Sequence, residues 1–313
     1  MTTAYYSHPD CREHDMGRGH PECPERLDAI EDHLRATGLD VALAMREAPL
    51  VNLADVSLAH AGGYVAELQS LLEQVAASGR SRMLDPDTIA CPATWNAARR
   101  AAGAAVAATD AVIDGEATSA FCAVRPPGHH ATRNRAMGFC FLNNVAIAAR
   151  HALDVRGLER VAVVDFDVHH GNGTEDILAD DERALMVGIF QHPLYPYSGT
   201  VPMGDNMVNV PVPAYTRGPE IRALIEAMWL PRLEEFKPQM IFVSAGFDAH
   251  RDDDLGQLGL VEADYEWITA RIKAVADRHA QGRIVSCLEG GYALGALARS
   301  VAAHLRVLSG QRG

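Results

Sequence analysis

The segment Asp165-Phe166-Asp167-Val168-His169-His170-Gly171-Asn172 sets two carboxylates and two imidazoles within six residues, directly after the apolar run Val161 to Val164. That run is short, β-branched and uncharged, which predicts a buried strand of a parallel sheet. Ionisable groups this dense at the end of a buried strand need partners, because an unpaired charge removed from water is costly. In an extended chain the side chains at i and i+2 point the same way, so Asp167 and His169 can grip one ion. Asp248, at the end of another apolar run, is the best third ligand. Three protein ligands with an open position is the pattern of a catalytic zinc. Mixed nitrogen and oxygen ligation leaves iron(II) and cobalt(II) open.

A second source of chemistry is Arg125-Pro126-Pro127-Gly128-His129-His130, two adjacent imidazoles on a loop stiffened by prolines. An imidazole titrates near neutrality, so it can take a proton from an activated water and return it to a leaving amine. Each ring needs an orienting partner on its other nitrogen, and Asp165 and Asn172 are the expected pair. An anionic partner favours the imidazolium, whereas neutral Asn172 is expected to leave its histidine near the ordinary value. Tyr292 follows Gly290-Gly291, where absent side chains let backbone approach a ligand. Its phenol is a neutral donor suited to an oxyanion.

These groups are far apart in the chain, so the fold must gather them. Apolar spacing and boundary residues predict helices over Glu25 to Ala36, Ala61 to Ala77, Ala93 to Ile113, Asn144 to Leu153, Pro219 to Glu235, Glu262 to His279 and Leu294 to Leu308. Short apolar runs predict strands over Ala120 to Val124, Val161 to Val164, Leu185 to Ile189, Met240 to Val243 and Ile284 to Leu288. The alternation implies an α/β fold with a central parallel β-sheet and helices on both faces. In such a sheet all strand ends that lead into the loaded loops lie on one edge, where ligands bind.

The 313 residues are 48% apolar and no linker or repeat interrupts them, so residues 1–313 are expected to form a single domain. A formal charge of −13 argues against direct nucleic-acid binding. The Ala-rich stretch Ala101 to Thr109 is too short to span a bilayer, and no leader pattern opens the chain, so a cytoplasmic protein without membrane contact is expected. Six scattered cysteines without a Cys-x-x-Cys pair argue against a thiolate zinc site and a disulfide scaffold.

Across nearly its whole length the chain resembles the histone deacetylase family, specifically its class II-like bacterial members and the related acetylpolyamine amidohydrolases. The matching segments are Arg125 to His130, Gly138-Phe139-Cys140-Phe141-Leu142-Asn143-Asn144, Asp165 to Thr174, Gly246-Phe247-Asp248 and Glu289 to Tyr292. The resemblance implies the arginase/deacetylase fold, with Asp167, His169 and Asp248 holding Zn2+ for hydrolysis of an N-acetyl amide. It implies His130 as general acid–base, His129 as its electrostatic partner, Asp165 and Asn172 behind them, and Tyr292 polarising the carbonyl. Gly138, Phe139, Tyr195, Leu255, Gly290 and Gly291 are implied around the substrate, with Phe139 and Tyr195 walling a narrow apolar tunnel.

The family also implies a structural K+ near Asp165, Asp167 and His169, but Gly188 and Phe190 stand where many members carry Ser and His. Polyamine-selective relatives place a glutamate seven residues beyond the third metal ligand, where this chain has Leu255. The expected partner is therefore an acetylated lysine of a peptide or protein, with acetylpolyamine or another small acylated amine as the alternative. An arginase-type two-metal centre lacks its further carboxylate at Gly171, and a silent acyl-binding protein would lack one of the chemical residues that this chain retains. A homo-oligomer stays open, as does whether Arg12 to Pro24 shapes the entrance or an interface.

Overall fold

Val161–Asp165 is buried at every residue, as an apolar β-branched segment must be when helices cover both faces of its sheet. The computed structural model describes residues 2–311. In chain order its strands are β1 (Thr3–Ser7), β2 (Leu43–Glu47), β3 (Arg82–Asp85), β4 (Thr88–Ala90), β5 (Ser119–Cys122), β6 (Val161–Asp165), β7 (Ala184–Gln191), β8 (Met207–Val212), β9 (Met240–Ala245) and β10 (Ile284–Leu288). Eight of them form one sheet in the order β2-β1-β5-β10-β9-β6-β7-β8, every pairing parallel. The antiparallel pair β3-β4 stands apart.

The helices are α1 (Asp10–Glu13), α2 (Glu25–Thr37), α3 (Leu53–Ala59), α4 (Gly62–Ser78), α5 (Thr94–Ile113), α6 (Asn144–Asp154), α7 (Asn172–Leu178), α8 (Gly218–Leu224), α9 (Leu230–Phe236), α10 (Glu262–His279) and α11 (Leu294–Ser309). One group, α2, α10 and α11, packs together, and another group is formed by α3, α5 and α6; each group also packs on the sheet. A continuous apolar cluster runs from Ala4 to Leu308. Among the described residues, no helix is long and apolar enough to cross a membrane.

Register explains why the loaded loops meet. Cys122, Cys287, Ser244 and Asp165 lie side by side across the four adjacent central strands β5, β10, β9 and β6. The loops carrying His129 and His130, Gly290 to Tyr292, Asp248, and Asp167 with His169 therefore leave the sheet from one line.

The five expected strands are present, but β1, β2 and β8 of the sheet and the pair β3-β4 are additions. As sheet edges, β2 is buried only at Leu43 and β8 carries Pro211, so neither reads as a continuous apolar run. The single helix expected over Pro219 to Glu235 is α8 and α9 joined by a π-turn at Ile225–Trp229. Pro231 has no N–H for the regular ladder, which accounts for the local change of pitch.

The alanines of α5 let the helix close tightly on the chain after β2. A Cβ on Gly103 would sit 2.0 Å from the Pro49 carbonyl oxygen and 2.8 Å from Val51 N. Gly103→Ala should therefore destabilise the fold by about 1–3 kcal/mol despite alanine's better helix propensity. Urea midpoints of the two chains measure this, and an unchanged midpoint contradicts the contact.

Candidate active site

Asp167, His169 and Asp248 each offer a donor atom within 4.8 Å of the other two. His169 Nδ1 lies 3.0 Å from Asp167 Oδ1 and 3.1 Å from Asp248 Oδ2, so one nitrogen faces two carboxylates. Main-chain donors engage these carboxylates as well: Gly290 N donates to Asp167 Oδ2 at 2.8 Å and Val168 N to Asp248 Oδ1 at 2.9 Å. Asp248 Oδ2 is buried without a hydrogen bond. Gly246 and Gly290 close the cradle, since a Cβ on either would stand 2.0 Å from Asp167 Oδ2 or Asp248 Oδ2 respectively. An orphaned oxygen, converging donors and a space kept free of side chains fit a divalent cation held by two carboxylates and one imidazole.

The charges here oppose one another strongly. Burial raises the Asp248 carboxyl, and the neighbouring Asp167 charge adds to it, to about 6. Burial works against a charged His169, but the carboxylates of Asp167 and Asp248 at its Nδ1 outweigh that and push it up to about 10. A cation in the cradle would take over that compensating role and require the neutral ring.

His129 and His130 stand beside the cradle with ring centroids 4.1 Å apart. His129 Nδ1 donates to Asp165 Oδ2 at 3.0 Å, and His130 Nδ1 donates to Asn172 Oδ1 at 2.7 Å. The two rings are driven apart electrostatically. Burial opposes charge on both, but Asp167 and Asp165 overcome it and hold His129 above the ordinary value. His130 goes the other way: burial lowers it, and the charges of His129 and His169 lower it further. The expectation that Asn172 would leave its histidine unperturbed is thus corrected, because a neutral partner cannot offset burial beside two cationic rings.

A cavity of about 240 Å³ opens over these groups, lined among others by Gly138, Phe139, Tyr195, Leu255, Gly290 and Tyr292. Phe139 meets Tyr292 edge-on at 5.9 Å, and Tyr195 meets His130 edge-on at 5.2 Å. Gly138 is required where it is: at φ +55°, a Cβ there would lie 2.4 Å from His130 Cδ2. Gly291 does not line the cavity; its carbonyl accepts from Arg26 Nε at 2.7 Å, so its expected place around the substrate is corrected to a place behind the wall. Tyr195 brings a buried phenol oxygen with no hydrogen-bond partner to a wall expected to be wholly apolar. Burial, then Asp248, holds the Tyr292 phenol well above its ordinary value, so it stays protonated.

The loop Arg12 to Pro24 supports the site. Glu22 is buried between Arg125 and Arg26, and Arg26 spans 4.9 Å to the Tyr292 ring while Nη2 reaches the Glu289 carbonyl at 2.5 Å. From the same loop His20 packs edge-on against Phe139 at 4.8 Å. Two functional positions escaped the sequence reading. Glu289 Oε2 accepts from Gly128 N at 2.7 Å and His129 N at 3.1 Å, bracing the double-histidine loop against β10, and Asp87 lines the cavity from the β3-β4 turn. Glu289 stood inside a recognised motif; Asp87 sits in a polar hairpin with no signal of its own. At position 188 glycine supplies no side-chain oxygen, and Phe190 packs on His170 at 4.7 Å.

A profile of the histone deacetylase domain matches residues 20–308. The chain is 39% identical over 282 residues to the histone deacetylase-like amidohydrolase of Pseudomonas aeruginosa, covering 88% of this chain and 73% of that one. It is 36% identical over 302 residues to a probable deacetylase of Archaeoglobus fulgidus, covering 94% and 82%. The crystal structure of the HDA15 HD domain matches with a TM-score of 0.91 at 30% identity, over 99% of this chain and 88% of that one. The eight-stranded parallel sheet flanked by helices is the arginase/deacetylase fold of a class of hydrolases. Within that class, the chain belongs to the histone deacetylase family.

The cradle generates a direct test. Gly290→Ala would place a methyl against both carboxylates, 2.0 Å from Asp248 Oδ2 and 2.6 Å from Asp167 Oδ2. Divalent-ion affinity, read by calorimetry on the chelator-stripped protein, should fall about tenfold or more; parental affinity would show that the ion does not sit there.

Proposed function

We propose that this chain is a zinc-dependent deacetylase acting as one catalytic domain on acetylated lysine side chains of peptides or proteins. The observation that carries the reading is the convergence of Asp167, His169 and Asp248 with an oppositely tuned histidine pair and a protonated phenol on one cavity. A zinc ion held by those three residues supplies Lewis acidity for an amide carbonyl and acidifies a water at neutral pH.

The protein groups divide the remaining work. Asn172 Oδ1 accepts a hydrogen bond from His130 Nδ1–H, which leaves Nε2 as a free lone pair able to accept a proton from water and later return it to the departing amine. His129, held cationic by Asp165, keeps positive charge beside the developing oxyanion and discourages a second charge on His130. Tyr292 donates to the carbonyl oxygen as its charge grows. Gly138, Phe139, Tyr195 and Leu255 leave a passage suited to an uncharged acyl-lysine stem and unfavourable to free lysine.

Two alternatives weigh differently. A second metal in the arginase manner would need a carboxylate at Gly171, where a Cβ would collide with Asp165 Oδ2 at 2.2 Å. The acetylpolyamine reading has one specific support, because Asp87 brings a carboxylate to the cavity that could face a cationic amine.

Acetate release from an acetyl-lysine peptide, with and without chelator, tests the main reading; turnover that ignores metal removal would refute it. Tyr292→Phe should keep its metal and slow kcat by about a hundredfold or more, whereas an unchanged rate would remove the phenol from the reaction. Leu255→Glu should raise the preference for acetylated polyamines over acetyl-lysine peptides, and an unaltered selectivity ratio would place that side chain away from the substrate.

A further inference from the structure

The loop after Asp248 carries three consecutive aspartates, and Asp253 alone of them is buried, at 5% exposure. Its carboxylate accepts only from main-chain N–H groups, and these belong to two separate walls of the cavity. Oδ2 accepts from Tyr292 N at 2.6 Å and Ala293 N at 2.9 Å, and Oδ1 accepts from Leu255 N at 3.1 Å. Asp253 N in turn donates to the His250 carbonyl at 2.9 Å, tying the group to the loop that presents Asp248.

The need for such a clamp is local. Tyr292 follows two glycines, and Gly291 stands at φ +118°, a conformation from which the backbone can turn many ways. Ala293 caps α11 without a side-chain hydrogen bond of its own, so the N–H groups at that helix start need an outside acceptor. Arg26 holds the Gly291 carbonyl on one side of this turn, and on the other side the N–H groups of Tyr292 and Ala293 are held by Asp253.

We propose that Asp253 is a positioning residue: its one carboxylate fixes the Tyr292 phenol over the metal cradle and the Leu255 mouth in a single rigid arrangement. The inference rests on the deacetylase reading and extends it by naming what couples catalysis to substrate choice. A displacement of about 1 Å at either end can cost on the order of a hundredfold in rate.

Asp253→Asn keeps the shape but replaces one acceptor oxygen with an amino group that cannot accept from these N–H groups. In the zinc-loaded enzyme its kcat on an acetyl-lysine peptide should fall about tenfold or more with metal content unchanged. In the Tyr292→Phe background the same change should cost less than about threefold, because the phenol it aims is already absent. An equal loss in both backgrounds, or a parental kcat in the single variant, overturns the inference while leaving the deacetylase reading intact. A Tyr292→Phe enzyme as fast as the parent overturns that reading and this inference with it. If the Asn variant does not fold, amide exchange in the unsubstituted holoenzyme decides: Leu255, Tyr292 and Ala293 should be protected together, and exchange of Tyr292 independent of Leu255 refutes the clamp.

Discussion

Five carboxylates, Asp165, Asp167, Asp248, Asp253 and Glu289, are buried around one end of the sheet, none more than 5% exposed. Bringing like charges together out of water is the central physical difficulty of this structure, and most local features answer it. Main-chain N–H groups engage every one of them: Asp167 N on Asp165, His169 N and Gly290 N on Asp167, Val168 N on Asp248, Gly128 N and His129 N on Glu289, and three on Asp253. Backbone donors cannot titrate away or swing out, so they hold the acids in place whatever the substrate does. The remaining charge is met by His129 and His169; in the proposed reaction a divalent ion would take the place of the His169 proton.

That solution depends on the sheet being parallel. With Cys122, Cys287, Ser244 and Asp165 in register, each acid-bearing loop starts beside the next, and a donor from one loop reaches a carboxylate on another. Gly290 N on Asp167 and Val168 N on Asp248 are such crossed bonds. The glycines follow from the same crowding: Gly246 and Gly290 stand where any side chain would strike an acid. Here local rules are broken in favour of a site, as expected where function competes with stability.

This also explains what could be read from the chain. Val161 to Val164, Met240 to Val243 and Ile284 to Leu288 are buried on both faces, so composition alone marks them as strands, and the chemical residues at their ends follow from parallel topology. That Asp167, His169 and Asp248 meet, and that Asp165 and Asn172 stand behind the two histidines, was legible for that reason; which ring takes which partner was not. Edge strands β2 and β8 were not: β2 is buried only at Leu43, and Asn209 and Pro211 interrupt the apolar run of β8. Neither was Asp87 in the cavity nor the bracing by Glu289, since a hydrogen bond from a distant backbone N–H leaves no periodicity. The Arg12 to Pro24 loop looked like an entrance or interface by its charge. One of its charged residues, Glu22, is buried and held to about 2 because the Arg125 and Arg26 guanidiniums outweigh burial, while His20 of the same loop packs against Phe139 at the cavity wall.

The histidine pair shows how far the crowding goes. Two rings 4.1 Å apart cannot both carry charge cheaply, and the surrounding groups decide which one does. Two carboxylates face His129, with Asp165 Oδ2 at 3.0 Å and Asp167 Oδ2 at 3.8 Å, whereas His130 faces neutral Asn172. Charge on the first ring lowers the second, so the asymmetry is self-reinforcing: the more firmly His129 keeps its proton, the more available the His130 lone pair becomes. Exchanging a carboxylate for an amide behind one ring thus divides two identical side chains into a fixed cation and a proton acceptor, with no difference in the residues themselves.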